Sequence, residues 1–485
     1  MKRLKYFYIL LWLFSISCND YLDIQPTTKV SSSLALGTYS DLEGAVNGVY
    51  YQFANNGLLS GNYRSYGDII GDFVFMNGNT DRLIYERKTS NQGFACWERF
   101  YRSINGSNAI IDAIENDKVT FSQIEKGNID RILGEAYFIR AVSHFELVRL
   151  YALPWGSTPN NDQLGIILKL KPTESSFEPQ ARNTVSEVYN QVIADLETAS
   201  GLLPAAYDTK THPASYLGRA TSMAAKAYLA KVYFQQADYV RAKAKIDEVL
   251  GSTPGSIQNF PLNSNVLEAY QTSGFTANSI STNKETVFML IHIIGAGFSD
   301  KMREKWYQAK AGTIPNNVAS KSFVKTANFS KADLRNKWLD IVTVNNVTYT
   351  FTRKYDGISA TSPMFNMPVI RSAELILDRA EINAMGNQAN AALADVNVIR
   401  KRAGIPEISG SISNSAVLDS VRLERIRELC FDGDRVHDLR RMKADFGPGD
   451  RPGYSAVPYN HWSLLLKVPT AELSNNPLCT DNPDQ

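Results

Sequence analysis

The strongest constraint on this chain is the spacing of apolar residues between Ile129 and Tyr151. Leu133, Tyr137, Ala141, Phe145 and Val148 recur every three or four positions, which sets them on one stripe of an α-helix. Glu135, Arg140, Glu146 and Arg149 flank the stripe, and Pro154 stops it. The same period predicts helices over 41–53, through Trp97, Tyr101, Ile104, Asn108 and Ile111, and over Thr184–Leu203. Arg219–Gln236 and Tyr239–Leu250 predict a helix hairpin turning at Ala237-Asp238, with Asp238 as N-cap. Ala373–Met385 and Asn390–Arg402 predict a second around Gly386-Asn387, and Val417–Cys430 a further amphipathic helix. Each pair spans about 30 residues, the size of a tetratricopeptide unit, and Ala224, Ala225, Ala227 and Ala230 supply small residues where two helices approach. Helix hairpins occur in any helical protein, so the length match favours a degenerate repeat and no more.

Between the hairpins lie Gly251–Asn283 and Gly295–Ala319, rich in Gly, Ser, Asn, Thr and Pro, which read as long irregular segments. Within Asn345–Pro368 the alternation Val347-Thr348-Tyr349-Thr350-Phe351-Thr352 predicts one strand pair. The helices read as scaffold and the loops as the segments that carry function.

The N-terminus begins Met1-Lys2-Arg3-Leu4-Lys5, followed by an apolar run from Tyr6 to Ile16 and then Ser17-Cys18. That order reads as a secretory signal over 1–17, too short to span a bilayer. A cysteine at the cut site resembles a lipobox, so Cys18 is the expected lipidation site, with 18–33 an extended leader. Removal of 1–17 takes away Lys2, Arg3 and Lys5 and no acid, lowering the formal charge from +2 to −1. Such a balance offers no basic surface for nucleic acid. Cys96, Cys430 and Cys479 are widely spaced, without CxxC, and make neither a disulfide framework nor a zinc site.

No catalytic signature emerges. The five histidines are scattered, and HExxH, GxSxG and Walker A patterns are missing. Asp432-Gly433-Asp434 begins like a calcium loop, but its twelfth position is Lys443. No metal or cofactor is expected. Carboxylates are plentiful, yet nothing singles out a glycosidase pair. The interleaved acids and arginines of Val421–Arg441 read as a buried Arg–Glu network fixing helix packing, in preference to an anion site. Tyr63 and Tyr66 in Gly61–Gly67, and Trp306-Tyr307 after the glycine-rich 295–300, sit in irregular context. They are candidate platforms for a sugar ring, with Asn77 and Asn79 as amide partners for its hydroxyls. The competing reading folds each aromatic back onto the core.

Taken in order, the motifs resemble the SusD/RagB family of outer-membrane nutrient-binding lipoproteins from Bacteroidetes. The resemblance rests on Leu22-Asp23 and Pro26 after the cysteine and on Gly134-Glu135-Ala136-Tyr137-Phe138-Ile139-Arg140-Ala141. It continues through Gly218-Arg219-Ala220-Thr221, Met367-Pro368-Val369-Ile370-Arg371, Arg379-Ala380-Glu381, Glu424-Arg425, Arg427-Glu428-Leu429 and the Asn476-Pro477 tail. Departures fall at Asp432, Asp434 and Val436, where other residues are usual in the family.

The resemblance implies a mainly α fold: tetratricopeptide-like helix hairpins forming a scaffold, a loop-rich ligand-binding face and a few short strands. It places residues 34–485 in one domain, with helices near 97–151, 184–250 and 369–441 and insertions over 251–368. It further implies a non-enzymatic surface lipoprotein of the outer membrane that binds oligosaccharide and delivers it to a SusC-like TonB-dependent transporter. Acidic Asp20 and Asp23 near Cys18 are similar to marks of surface exposure. A RagB-like peptide carrier is the alternative, and a surface glycan hydrolase a more distant one.

Overall fold

The computed structural model describes residues 36–54, 58–78, 81–88, 94–123, 125–173, 178–208, 210–270, 283–291, 300–308, 310–356, 366–410 and 412–482. Its helices are α1 (Tyr39–Phe53), α2 (Asn62–Ile69), α3 (Arg82–Tyr85), α4 (Phe94–Glu115), α5 (Lys126–Tyr151), α6 (Val185–Leu202), α7 (Ser222–Gln235) and α8 (Tyr239–Leu250). They continue as α9 (Asp300–Trp306), α10 (Lys321–Ala327), α11 (Ser372–Met385), α12 (Ala389–Arg402), α13 (Asn414–Glu428), α14 (Arg435–Arg441) and α15 (Thr470–Asn475). The strands are β1 (Val74–Met76), β2 (Thr286–Leu290), β3 (Asn317–Ala319), β4 (Leu339–Val344), β5 (Val347–Thr352) and β6 (Met367–Arg371). Cys18 and Asn79 lie outside the described residues.

The fold is mainly helical, as expected. Helix packs on helix in succession from α4 through α5, α6, α7 and α8, then on to α11, α12 and α13, while α1 lies against α4 and α5. Local chemistry sets the ends. The Thr184 hydroxyl accepts from the Glu187 amide and the Glu187 carboxylate accepts from the Thr184 amide, a capping box that starts α6. Asp238 accepts from the Arg241 amide at 3.1 Å and starts α8. Ala237 and Asn387, both at φ 60°, turn the two helix hairpins in the left-handed region.

The helix read as amphipathic, α5, is instead central. From Ile132 to Tyr151 nearly every side chain is buried, polar ones included. Its charges are therefore paired. Glu135 accepts from Arg131 at 2.9 Å and Arg219 at 2.7 Å, and Arg140 grips Asp195 with two bonds of 2.7 Å. An unpaired charge here would be strongly destabilising.

The strands form three two-stranded antiparallel sheets, β1–β3, β2–β6 and β4–β5. Asn345 (φ 51°) and Asn346 (φ 62°) make the tight β4–β5 turn. The partner of Val347–Thr352 thus lies upstream, not in the following residues. The segment expected to be irregular at Gly295–Ala319 contains α9 and β3, and Tyr63 and Tyr66 belong to helix α2.

The acid–arginine run is a buried network. Glu428 accepts from Arg371 at 2.9 Å and Arg402 at 2.5 Å, with Arg335 at 3.4 Å. Arg425 holds Asp438 at 2.8 Å and Arg441 holds Glu381 at 2.9 Å. Among the described residues the main hydrophobic core draws on residues from Leu36 to Cys479, with a small separate cluster of Val318, Val342 and Phe351. Among the described residues no helix is long and apolar enough to cross a membrane.

Candidate functional site

Two distant stretches of chain meet at a small pocket. One is the start of α2 with β1, Gly78 and the residue before α3, contributing Asn62, Met76, Gly78 and Asp81; the other is the end of α9 and the start of β3, contributing Glu304, Lys305, Asn316 and Asn317. The β1–β3 ladder joins them, pairing Met76 with Asn317, and the Asn77 amide extends it by donating to the Asn316 carbonyl at 2.8 Å. The pocket encloses about 50 Å³.

Its floor is polar. Lys305 forms an ion pair with Asp81, both side chains 6 % exposed. The Tyr66 ring lies 5.3 Å from the Lys305 ammonium. Burial, together with nearby Cys96 and the bonded Asp81, raises the Tyr66 phenol well above its ordinary range. Asn317 is 0 % exposed, and among the described residues neither its Oδ1 nor its Nδ2 has a hydrogen-bond partner. A buried group left unbonded costs about 1–3 kcal/mol. At the rim, Asn316 Nδ2 donates to the Glu304 carbonyl at 3.3 Å.

The aromatic candidates are corrected by their orientation. Tyr63 is 4 % exposed and donates to the Glu146 carboxylate at 2.6 Å, its ring edge-on to Phe100. Tyr66 faces the ion pair. Trp306 is fully buried, with its ring centroid 4.7 Å from that of Phe431. None of the three is a platform for a sugar; each is a core residue, because α2 and α9 are helices whose bulky faces turn inward. Tyr307 is half-buried with the Arg303 guanidinium 3.6 Å over its ring, and Asn77 is exposed. The pocket is lined by chain neighbours of these residues and by none of them. Asn62 precedes Tyr63, Gly78 follows Asn77 and Lys305 precedes Trp306. Asp81, Lys305, Asn316 and Asn317 were missed, and the adjacent asparagines after Pro315 were the available signal.

A wider groove of about 640 Å³ runs between α8 and α11, lined by Val240, Ala244, Ile382 and Met385 among others. Among the described residues no group of three or more His, Cys, Asp or Glu side chains is placed to hold a metal.

Two family models match the chain. Residues 20–234 match a family described as starch-binding and associating with the outer membrane, and residues 299–484 match the SusD family itself. The chain belongs to the SusD/RagB family. SusD-like protein P2 of Formosa agariphila is 25% identical over the whole length of both chains. Among solved structures, a SusD superfamily protein from Bacteroides thetaiotaomicron superposes with a TM-score of 0.76 at 22% identity, covering 92% of this chain and 100% of its own. A SusD-like carbohydrate-binding protein from Bacteroides vulgatus gives 0.76 at 20% identity, covering 92% and 98%. These likenesses are of fold, over 92% of this chain.

Proposed function

We propose that this chain is a lipid-anchored surface protein of the outer membrane that binds oligosaccharide and passes it, uncleaved, to a SusC-like TonB-dependent transporter. The observation that carries the reading is the amide-lined pocket of Asn62, Asn316 and Asn317 on a SusD/RagB scaffold. Amides donate and accept at once, which is what sugar hydroxyls require. The starch-binding description of the matched family and the carbohydrate-binding neighbour from Bacteroides vulgatus support the ligand class. Catalysis is not part of the reading, in which Asp81 is engaged by Lys305 and Tyr66.

The RagB-like alternative gains from one observation. Tyr63, Tyr66 and Trp306 are buried, so the stacking platform expected for glycans is not built from them. Calorimetric titration of the full-length protein with neutral glycans and with mixed peptides separates the two. Saturable glycan binding with unchanged glycan afterwards supports the proposal; peptide binding alone selects the alternative; released reducing ends would make it a hydrolase.

A further inference from the structure

We infer that a strip of partly exposed aromatic side chains, Trp155 with Tyr459, His461 and Trp462, is a second contact surface for oligosaccharide. None of its residues lines the amide pocket. The inference rests on the oligosaccharide reading and supplies the stacking surface that Tyr63, Tyr66 and Trp306 do not.

The first observation is exposure. Among the described residues Trp97, Trp306 and Trp338 are buried, whereas Trp155 and Trp462 both keep part of their surface in water. Scattered exposed apolar side chains are ordinary, but these two fall on one seam. The loop after α5 and the segment ahead of α15 run side by side. Tyr459 donates its hydroxyl to the Gly156 carbonyl at 3.3 Å, and the Leu466 amide donates to the Leu150 carbonyl at 2.8 Å. The second observation is how the rings are held. Trp155 lies 5.0 Å from the ring of buried Tyr189, and His461 stacks on Trp462 at 5.2 Å with 29° between the planes. His461 also caps the single 3-10 turn Trp462–Leu464. Rings fixed in this way lose little freedom when the C–H face of a sugar settles on them. The third is the open polar groups among the rings. The Ser463 amide donates to His461 Nδ1 at 3.2 Å, so the neutral ring carries its proton on Nε2, which has no partner among the described residues. Half-buried Asn460 makes no side-chain hydrogen bond among the described residues, and unlike Asn317 its Oδ1 and Nδ2 both reach solvent. An amide and an imidazole N–H beside aromatic faces match a sugar, whose hydroxyls donate and accept around an apolar face.

The test is calorimetry on the full-length protein with maltohexaose, laminarihexaose, xylohexaose and mannohexaose. The expected result is saturable binding of at least one probe. Trp155→Ala and Trp462→Ala each weaken that binding by about tenfold or more while circular dichroism stays native. Trp462→Phe keeps a ring and retains most of it. Asn460→Ala removes no side-chain bond from the fold, weakens binding by about fivefold, and decides the matter if the tryptophan variants do not fold. A probe held by the folded variants as tightly as by the parent overturns the inference and leaves the oligosaccharide reading standing. No binding of any probe by the parent overturns both.

Discussion

Asp68 shows how a single buried residue makes this fold sensitive to pH. Its carboxyl is 2 % exposed, and burial, reinforced by the nearby Asp432, pushes it up to about 8 against the pull of the bond it accepts from the Gly433 amide at 2.9 Å. The folded-state value lies above the unfolded one, so its contribution is fully present below about pH 4 and is lost as pH rises toward 8. Asn at this position keeps an oxygen for the Gly433 amide and carries no charge. Asp68→Asn should therefore match the parent in urea midpoint near pH 4 and exceed it progressively up to about pH 8, the gap reaching a few kcal/mol at roughly 1.4 kcal/mol per unit. Parallel midpoint-versus-pH curves for the two proteins would refute this account. Glu428 is the opposite case. Burial alone would raise it, but Arg402, Arg371 and Arg335 hold it well below the usual carboxylate range. Its contribution is present at neutral pH and lost in acid. Glu428→Gln leaves three arginines short of a buried counter-charge and should destabilise by about 3–5 kcal/mol at pH 7, read from chemical denaturation.

At the level of elements, contact between α2 and the turn into α14 leaves no room for a side chain. A Cβ on Gly67 would fall 1.8 Å from the Gly433 carbonyl oxygen, and Gly433 itself sits at φ +86°. Gly67→Ala must push these backbones apart, and a loss of about 3 kcal/mol or more, or failure to accumulate as folded protein, is the expected outcome by thermal melting. A melting midpoint within about a degree of the parent would show that the two segments separate freely. The same contact explains what the sequence concealed. The repeat helices α5 to α8, α11, α12 and α13 were legible because each repeats its apolar pattern locally, and some carry their own cap, as Thr184 and Asp238 show. Helix α2 was not, since Gly61 and Gly67 mimic a loop while its eight residues are almost all buried by partners far along the chain. The pocket was half legible for the same reason. Tyr63 and Trp306 are sequence neighbours of the lining residues Asn62 and Lys305, but only the β1–β3 register sets Met76 beside Asn317, and no local signal announces a pairing between segments so far apart in the chain.

For the whole molecule, the stretch that brings α2 and β1 to the pocket is tied to distant parts of the chain. Arg435 grips Asp72 just before β1 at 2.7 Å and Arg64 donates to the Pro368 carbonyl at 2.7 Å, so the face is pinned to the helical scaffold at points outside the pocket. The core begins at Leu36, and Cys18 precedes it by a polar stretch. Each acyl methylene buried in a bilayer adds about 0.8 kcal/mol, so several chains on Cys18 would retain the protein where one would not. If Cys18 serves only to carry lipid, Cys18→Ala should leave the melting curve of the exported protein unchanged. Palmitate labelling should vanish, and the protein should shift from the membrane pellet to the soluble fraction of fractionated cells. Retention in the pellet without label would mean that some other contact holds this molecule to the membrane.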